Sequence, residues 1–362
     1  MTFIKLYEES FRKNFDLPAM ADYGSGKTFT YGEVAKEIAK LHILFKECKI
    51  NPGDKISVIG KNSSRWCIAH LATVTYGAVV VPILHDFNAN DVQHIINHAA
   101  DAIWETLTEE EIPGIKGIIS LTGFRLLFRQ EGENIDKTMA GLDEIFAAKY
   151  PDGFRPEDVN YSNQPDDELV VLNYTSGTTG FSKGVMISGR NLSGNMTFAH
   201  NHICLKRGDR MLSFLPLAHT YGAAFDFLYA LTEGVETTFL GKTPAPKVLL
   251  KAFEEVQPEV VISVPLIFEK IYKNMIIPML NKRPIHWALN LPLLDTQIYT
   301  QIRKKLIHAL GGKVRQVIVG GAPFNSEVED FFLKIKFPVS VGYGMTECAP
   351  LISFSTCADF IP

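Results

Sequence analysis

The chain has 362 residues, 46% of them hydrophobic, and its 36 lysines and arginines face 40 acids for a formal charge of −4. That length exceeds one typical domain, and the composition is that of a globular protein with a large core. A slightly acidic balance with scattered lysines argues against a nucleic-acid partner, which needs a concentrated basic face.

The opening run Met1-Thr-Phe-Ile-Lys-Leu-Tyr-Glu-Glu-Ser10 places acids where a signal peptide keeps an unbroken apolar region. No apolar run reaches the ~18 residues that a spanning helix needs. A cytoplasmic protein that does not span a membrane is the expectation. Peripheral contact with a bilayer stays open as a partner, although no strongly basic amphipathic helix speaks for it. Cys48, Cys67, Cys204, Cys348 and Cys357 are widely spaced and form no Cys-x-x-Cys pair, which suits a reducing compartment and suggests neither a disulfide framework nor a zinc site.

Ala21-Asp-Tyr-Gly-Ser-Gly26-Lys27-Thr28 falls one residue short of a Walker loop and reads as a hairpin turn. Thr30-Tyr-Gly-Glu33 is a capping box, opening a helix whose Val34, Ile38, Leu41, Leu44 and Phe45 form one apolar stripe. From Lys55 a βαβ rhythm follows: a strand at Ile56–Ile59, a helix near Ser64–Tyr76, a strand at Ala78–Pro82 and a helix near Asn90–Ala99. The polar, proline-bearing stretch from about Thr122 to Asp167 reads as a connector. Beyond it, strands are expected at Arg210–Phe214, Val235–Leu240, Val260–Val264, Val314–Val319 and Val339–Val341. The predicted fold class is α/β, with mostly parallel sheets flanked by helices plus smaller β structure. It is divided into two similar subdomains at 1–165 and 166–362, the second carrying the nucleotide motifs.

Four motifs carry chemistry, and each falls at the carboxyl end of a predicted strand, where parallel sheets place ligands. The first is Tyr174-Thr-Ser-Gly-Thr-Thr-Gly-Phe-Ser-Lys-Gly-Val185. Hydroxyls of Thr175, Ser176, Thr178 and Thr179, glycines at Gly177, Gly180 and Gly184 and the charge of Lys183 suit a phosphate, although a solvated Ser/Thr/Gly turn is the plain alternative. Its spacing is not that of a Walker loop. The second is Leu215-Pro-Leu-Ala-His219-Thr-Tyr221-Gly222, where Pro216 and Gly222 set His219 in a turn. The third, Gly320-Gly321-Ala322-Pro323, lets a flat ring approach the backbone. The fourth, Gly342-Tyr343-Gly344-Met345-Thr346-Glu347, joins an aromatic platform, a hydroxyl and a carboxylate within six residues, which suits a nucleotide. His200-Asn-His202 is not read as a metal pair, because residues two apart on a helix face different directions.

These motifs, in this order, resemble those of the adenylate-forming ligase superfamily, which includes acyl-CoA synthetases, luciferases and adenylation domains of peptide synthetases. Ser182 stands where that family usually has proline. The resemblance implies that Tyr343 lies against adenine within the Gly342–Gly344 turn, Thr346 contacts phosphate and Glu347 holds Mg²⁺. It implies an adenine pocket at Gly320, Gly321, Ala322 and Pro323, and a reacting carboxylate near His219, Tyr221 and Gly222. Val264–Tyr272, Ile298–Leu306 and Gly311–Arg315 look most like the long-chain fatty acid branch, with Phe214, Tyr221, Phe225 and Phe227 as candidate tunnel walls.

The implied reaction is ATP-dependent activation of a fatty acid to acyl-AMP with release of pyrophosphate, then transfer to CoA. ATP, Mg²⁺ and CoA are the implied cofactors, and catalysis rests on Thr346, Glu347 and His219. The resemblance runs from Thr28 onward and stops before the family's small C-terminal domain, with its ribose-binding aspartate and bridging lysine. The chain is therefore expected to bind ATP and acid but to turn over poorly. Loading of a carrier protein, or a non-catalytic nucleotide- or acyl-binding module, stays open as an alternative, as does the oligomeric state.

Overall fold

The computed structural model describes residues 2–99, 102–103, 116–121, 124–129, 135–175, 183–289 and 294–355. Three sheets, mostly parallel and flanked by helices, form the frame. The first has five strands in the order Ala102–Ile103, Lys55–Ile59, Val79–Ile83, Leu169–Thr175 and Lys183–Ser188, parallel except for the last. Its central run Val-Val-Val-Pro-Ile is buried at all five positions, the pattern of a strand covered on both faces. The helix Ser64–Tyr76 crosses between the first two long strands. It starts on the Ser63 hydroxyl, which accepts from the Trp66 amide at 3.2 Å, and stops at Gly77, whose φ of 96° continues no helix.

The second sheet runs Arg210–Ser213, Glu236–Phe239, Pro18–Asp22 and Thr28–Thr30, and the third Val260–Ser263, Gln316–Val319, Val339–Gly344 and Leu351–Ser355. In each, the first three strands are parallel and the last is antiparallel. Pro18–Asp22 and Thr28–Thr30 form the expected hairpin around residues 23–27. One continuous apolar core draws on all three sheets and on the capping-box helix Tyr31–Glu47, whose Val34, Ile38, Leu41, Leu44 and Phe45 are all buried.

Strand pairing crosses residue 165 in two sheets. Val80 pairs with Val171, and Met20 pairs with Thr237, so the two proposed halves share sheets instead of each building its own. The stretch read as a connector also holds structure: a strand at Leu126–Arg129, helices at Ile135–Ala140 and Leu142–Lys149, and a 3₁₀ turn at Pro156–Asp158. The sequence reading passed over the helix Phe3–Lys13, which buries Phe3, Ile4, Tyr7 and Phe11, an i, i+4, i+8 stripe visible in the chain once the acids between are set aside.

A helical stretch from Thr220 to Thr232 follows the second motif and winds into a π-helical turn over Ala223–Tyr229, every residue of which is buried. Such turns concentrate at functional sites. At its centre Asp226 is fully buried, and burial raises its pKa well above the usual carboxylate range, outweighing the Ser213 hydroxyl and the Leu215 amide, which favour the charged form.

Candidate active site

The carboxyl ends of the third sheet open into a cavity of about 370 Å³. Val264 follows one strand, Gly321 the next, and Gly342, Tyr343, Gly344 and Thr346 end the third; all line the cavity. Opposite them stand Leu215, Pro216, His219, Thr220, Tyr221, Gly222 and Phe225, with Phe198, Ile203, Leu351 and Phe354 closing the sides. Among the described lining residues none carries a formal charge, and His219, Thr220, Tyr221, Tyr343 and Thr346 supply the polar side chains.

The His219 turn is held by two asparagines. Asn62 Nδ2 donates to the Leu215 carbonyl at 2.6 Å and its Oδ1 accepts from the Leu217 amide at 3.0 Å. Asn173, buried in the strand that leads to the first motif, donates to the Ala218 carbonyl at 2.8 Å. His219 itself stays exposed at its tip, with partial desolvation lowering its pKa, so the neutral ring dominates at neutral pH. Gly222 is required by close approach: a Cβ there would lie 2.8 Å from the Pro216 carbonyl oxygen.

Tyr221 lines the cavity but commits its hydroxyl to the scaffold, donating to the Ser263 and Ile318 carbonyls, each at 3.3 Å. It ties two strand ends of the third sheet together, and its pKa is raised first by burial and then by the nearby Asp226. Gly320 sits behind it, where a Cβ would meet the Gly342 carbonyl at 3.0 Å and the tyrosine ring at 3.2 Å. Gly321 adopts φ +83°, a left-handed conformation natural to glycine. Ala322 and Pro323 are exposed beyond the cavity lining.

The turn Thr346–Cys348 is clamped from the helix Gly189–His202. Asn195 Nδ2 donates to the Cys348 carbonyl at 3.2 Å, and its Oδ1 accepts from the Leu351 amide at 3.0 Å. Gly344 must be glycine, because a Cβ would fall 2.0 Å from the Pro350 carbonyl oxygen. Tyr343 is 62% exposed, an open aromatic face beside Thr346. Glu347 points from the same turn and is exposed.

The fourth motif, the His219 segment and part of the third motif thus meet at one cavity. Of the first motif, Thr175 and Lys183 pair across the strand ends, and neither is among the described lining residues. Ser176, Gly177, Thr178, Thr179 and Gly180 lie outside the described residues. Of the four aromatic tunnel candidates, Tyr221 and Phe225 line the cavity. Phe214 packs edge-on against Phe253, and Phe227 packs against Trp66 and His70 in the core. His200 and His202 take separate partners, Glu233 at 3.0 Å and the Phe198 carbonyl at 2.8 Å. Sequence reasoning missed Asn62, Asn173 and Asn195, and no motif marks them.

The AMP-binding enzyme family model matches residues 7–361. The chain belongs to that family. Long-chain-fatty-acid–CoA ligase 6 of Mus musculus is 27% identical over 365 residues, covering 91% of this chain and 51% of its own length. Long chain acyl-CoA synthetase 5 of Arabidopsis thaliana is 28% identical over 369 residues, covering 91% of this chain and 53% of its own. The chain therefore spans about half the length of the curated relatives it matches. Among solved structures, ATP-bound MatB from Rhodopseudomonas palustris superposes with a TM-score of 0.71 at 19% identity, over 99% of this chain and 62% of that one, a likeness of fold. In this AMP-binding chain, no described helix is long and apolar enough to cross a membrane.

Proposed function

We propose that this chain carries the site at which a fatty acid is activated by ATP to acyl-AMP with release of pyrophosphate, and that the complete protein passes the acyl group to CoA. One observation carries the reading: a single cavity joins an apolar wall of Phe198, Ile203, Leu215, Phe225 and Val264 to the Gly342–Thr346 turn. An apolar chain and a nucleotide would then meet end to end at His219 and Thr346. The names of the relatives, long-chain acyl-CoA ligases among them, and the ATP held by MatB support the same assignment.

The residues present fit a nucleotide. The open Tyr343 face offers a stacking surface, the lining glycines Gly321, Gly342 and Gly344 bring backbone close, and Thr346 offers a hydroxyl. We assign adenine contacts to Tyr343 and Gly320–Pro323, and phosphate contacts to Thr346, Lys183 and the 175–180 loop. Among the described residues, no three His, Cys, Asp or Glu side chains converge. Mg²⁺ takes one or two carboxylates and relies on substrate phosphates, and the exposed Glu347 is the carboxylate we assign to it.

Joining a carboxylate to an α-phosphate sets two anions against each other, about 1 kcal/mol at 4 Å in water and about 4 in a protein-like dielectric. Lys183 and Glu347-held Mg²⁺ would offset that repulsion, and His219, neutral, would bound the acid without adding charge. Calorimetric titration with non-hydrolysable acyl-adenylate analogues tests the assignment. Affinity should rise about fourfold per methylene until the cavity is filled, from ~0.8 kcal/mol per buried CH₂. Affinity indifferent to chain length would assign another acid, and no binding would overturn the site.

A further inference from the structure

Most of the apolar side chains around the cavity have the core behind them. Leu215, Phe225 and Ile318 are core residues, and Val264 and Leu351 pack on that core. Phe198 lines the cavity without joining the core. Its ring is covered instead by His202, which lies parallel to it within 9° at a centroid distance of 4.0 Å and is itself exposed. Phe354 meets the Phe198 ring edge-on at 5.7 Å. On this face the wall between cavity and water is therefore two stacked rings thick.

The backbone carrying that wall is pinned on both sides of Phe198. One helical turn earlier, Asn195 binds the Cys348 carbonyl and the Leu351 amide. Past the end of the helix, the buried Gln316 accepts from the Cys204 amide at 2.9 Å, and it donates to the His202 carbonyl at 3.3 Å and to the Ser340 hydroxyl at 3.1 Å. His202 Nδ1 lies 2.8 Å from the Phe198 carbonyl, which keeps the imidazole over the ring. An acyl chain that outgrows the cavity thus meets close-packed core on the other faces, which yields no room for a further methylene, and a fixed ring backed by solvent on this one.

We propose that Phe198 sets the upper limit on acyl chain length, with His202 as the positioning residue that holds its ring across the cavity. Removing the ring opens the cavity toward the surface at His202, and a longer chain continues through the gap. The inference rests on the acid-activating reading of the cavity and adds to it the residue at which the chain stops.

Calorimetric titration of Phe198→Ala with non-hydrolysable acyl-adenylate analogues bearing straight saturated chains tests it. In the parent, affinity should climb about fourfold per methylene and then level off. In Phe198→Ala the climb should continue, so two methylenes past the parent's limit tighten the variant's binding about sixteenfold and the parent's not at all. Phe198→Leu should move the limit the same way by less, and it carries the test if the thermal melt shows the alanine variant unfolded. His202→Ala should admit longer chains with a smaller gain per methylene, and His202→Phe, which keeps a ring stacked on Phe198, should return the parent's limit. A general loss of stability would lower affinity at every chain length without moving the limit. A levelling-off at the parent's chain length in the Phe198 variants would overturn the proposal and leave the acid-activating reading standing. The same result in His202→Ala would overturn the role given to His202. A parent that binds no analogue, or binds all chain lengths equally, would overturn the proposal together with the reading it rests on.

Discussion

At the residue scale, buried titratable groups set the acid response. His70 is 1% exposed between Trp66 and Phe227, neither ring nitrogen has a hydrogen-bond partner, and burial depresses its pKa to about 3. His42, whose Nε2 lies 3.0 Å from the Ala72 carbonyl, is depressed to about 4, chiefly by burial. Each binds a proton more readily unfolded than folded, so its stabilising contribution is complete above about pH 6.5 and is lost as pH falls toward the depressed value. Between pH 6.5 and 4.5 each should cost about 2–3 kcal/mol of stability. Asp226 acts in the opposite sense, since its raised pKa withdraws stability as pH climbs above the ordinary carboxylate range. Denaturant melts of the His70→Leu variant against pH should show a flatter acid limb than the parent. An unchanged limb would mean that His70 is solvated in solution.

Glycines at this scale are dictated by contact. Gly344→Ala sets a methyl group 2.0 Å from the Pro350 carbonyl, which forces the turn carrying Thr346 to move. Overpacking of this kind costs roughly 1–3 kcal/mol. Binding of the acyl-adenylate analogue should fall at least tenfold, whereas Gly194→Ala, with open space at its Cβ, should leave it unaltered. Equal effects from the two substitutions would show that the turn tolerates displacement. The sequence showed that a glycine-rich turn was there. It did not show which carbonyl each glycine makes room for, because that oxygen comes from another part of the fold.

Local signals foretold most of the elements. The capping box is formed as read: the Thr30 hydroxyl accepts from the Glu33 amide at 3.1 Å, and Glu33 accepts from the Thr30 amide at 2.8 Å. Thr30→Ala should lower unfolding free energy by about 1 kcal/mol, and no change would mean that tertiary packing alone fixes that helix start. Strands at Lys55, Val79, Arg210, Val260, Gln316 and Val339 begin within two residues of the runs that announced them, since short apolar runs between turn residues encode their own limits. The helix Phe3–Lys13 escaped because acids and lysines mask its stripe, and the 122–167 elements because polar residues dominate them.

The clamp between elements was equally hidden. Asn195 lies on a helix remote in sequence from the Cys348 carbonyl and Leu351 amide that it binds. Asn195→Ala leaves those groups without their partner and should cost about 1–3 kcal/mol, with weaker analogue binding. Asn195→Leu, which restores volume without the hydrogen bonds, should not recover it; recovery would make packing the cause.

For the whole molecule, shared sheets decide what can fold alone. Pro18–Asp22 sits between Glu236–Phe239 and Thr28–Thr30, and Val79–Ile83 sits between Lys55–Ile59 and Leu169–Thr175. Cutting at residue 165 would open edges in both sheets and expose their hydrogen-bonding rows. Fragments 1–165 and 166–362, expressed separately, should lack cooperative unfolding transitions and recover them only when mixed; a cooperative melt in either alone would restore the division at 165.

The sequence by itself determined the family, the α/β class, most of the elements and the positions of the four motifs, because phosphate-type loops, caps and strand runs are short and are written in neighbouring residues. Tertiary structure alone decided that the His219 segment and the Gly342–Thr346 turn face one cavity, that Tyr221 braces strands with its hydroxyl, and that three asparagines hold the loops. Those outcomes join residues far apart in the chain, where hydrogen-bond geometry and close packing, not local propensity, choose the partners.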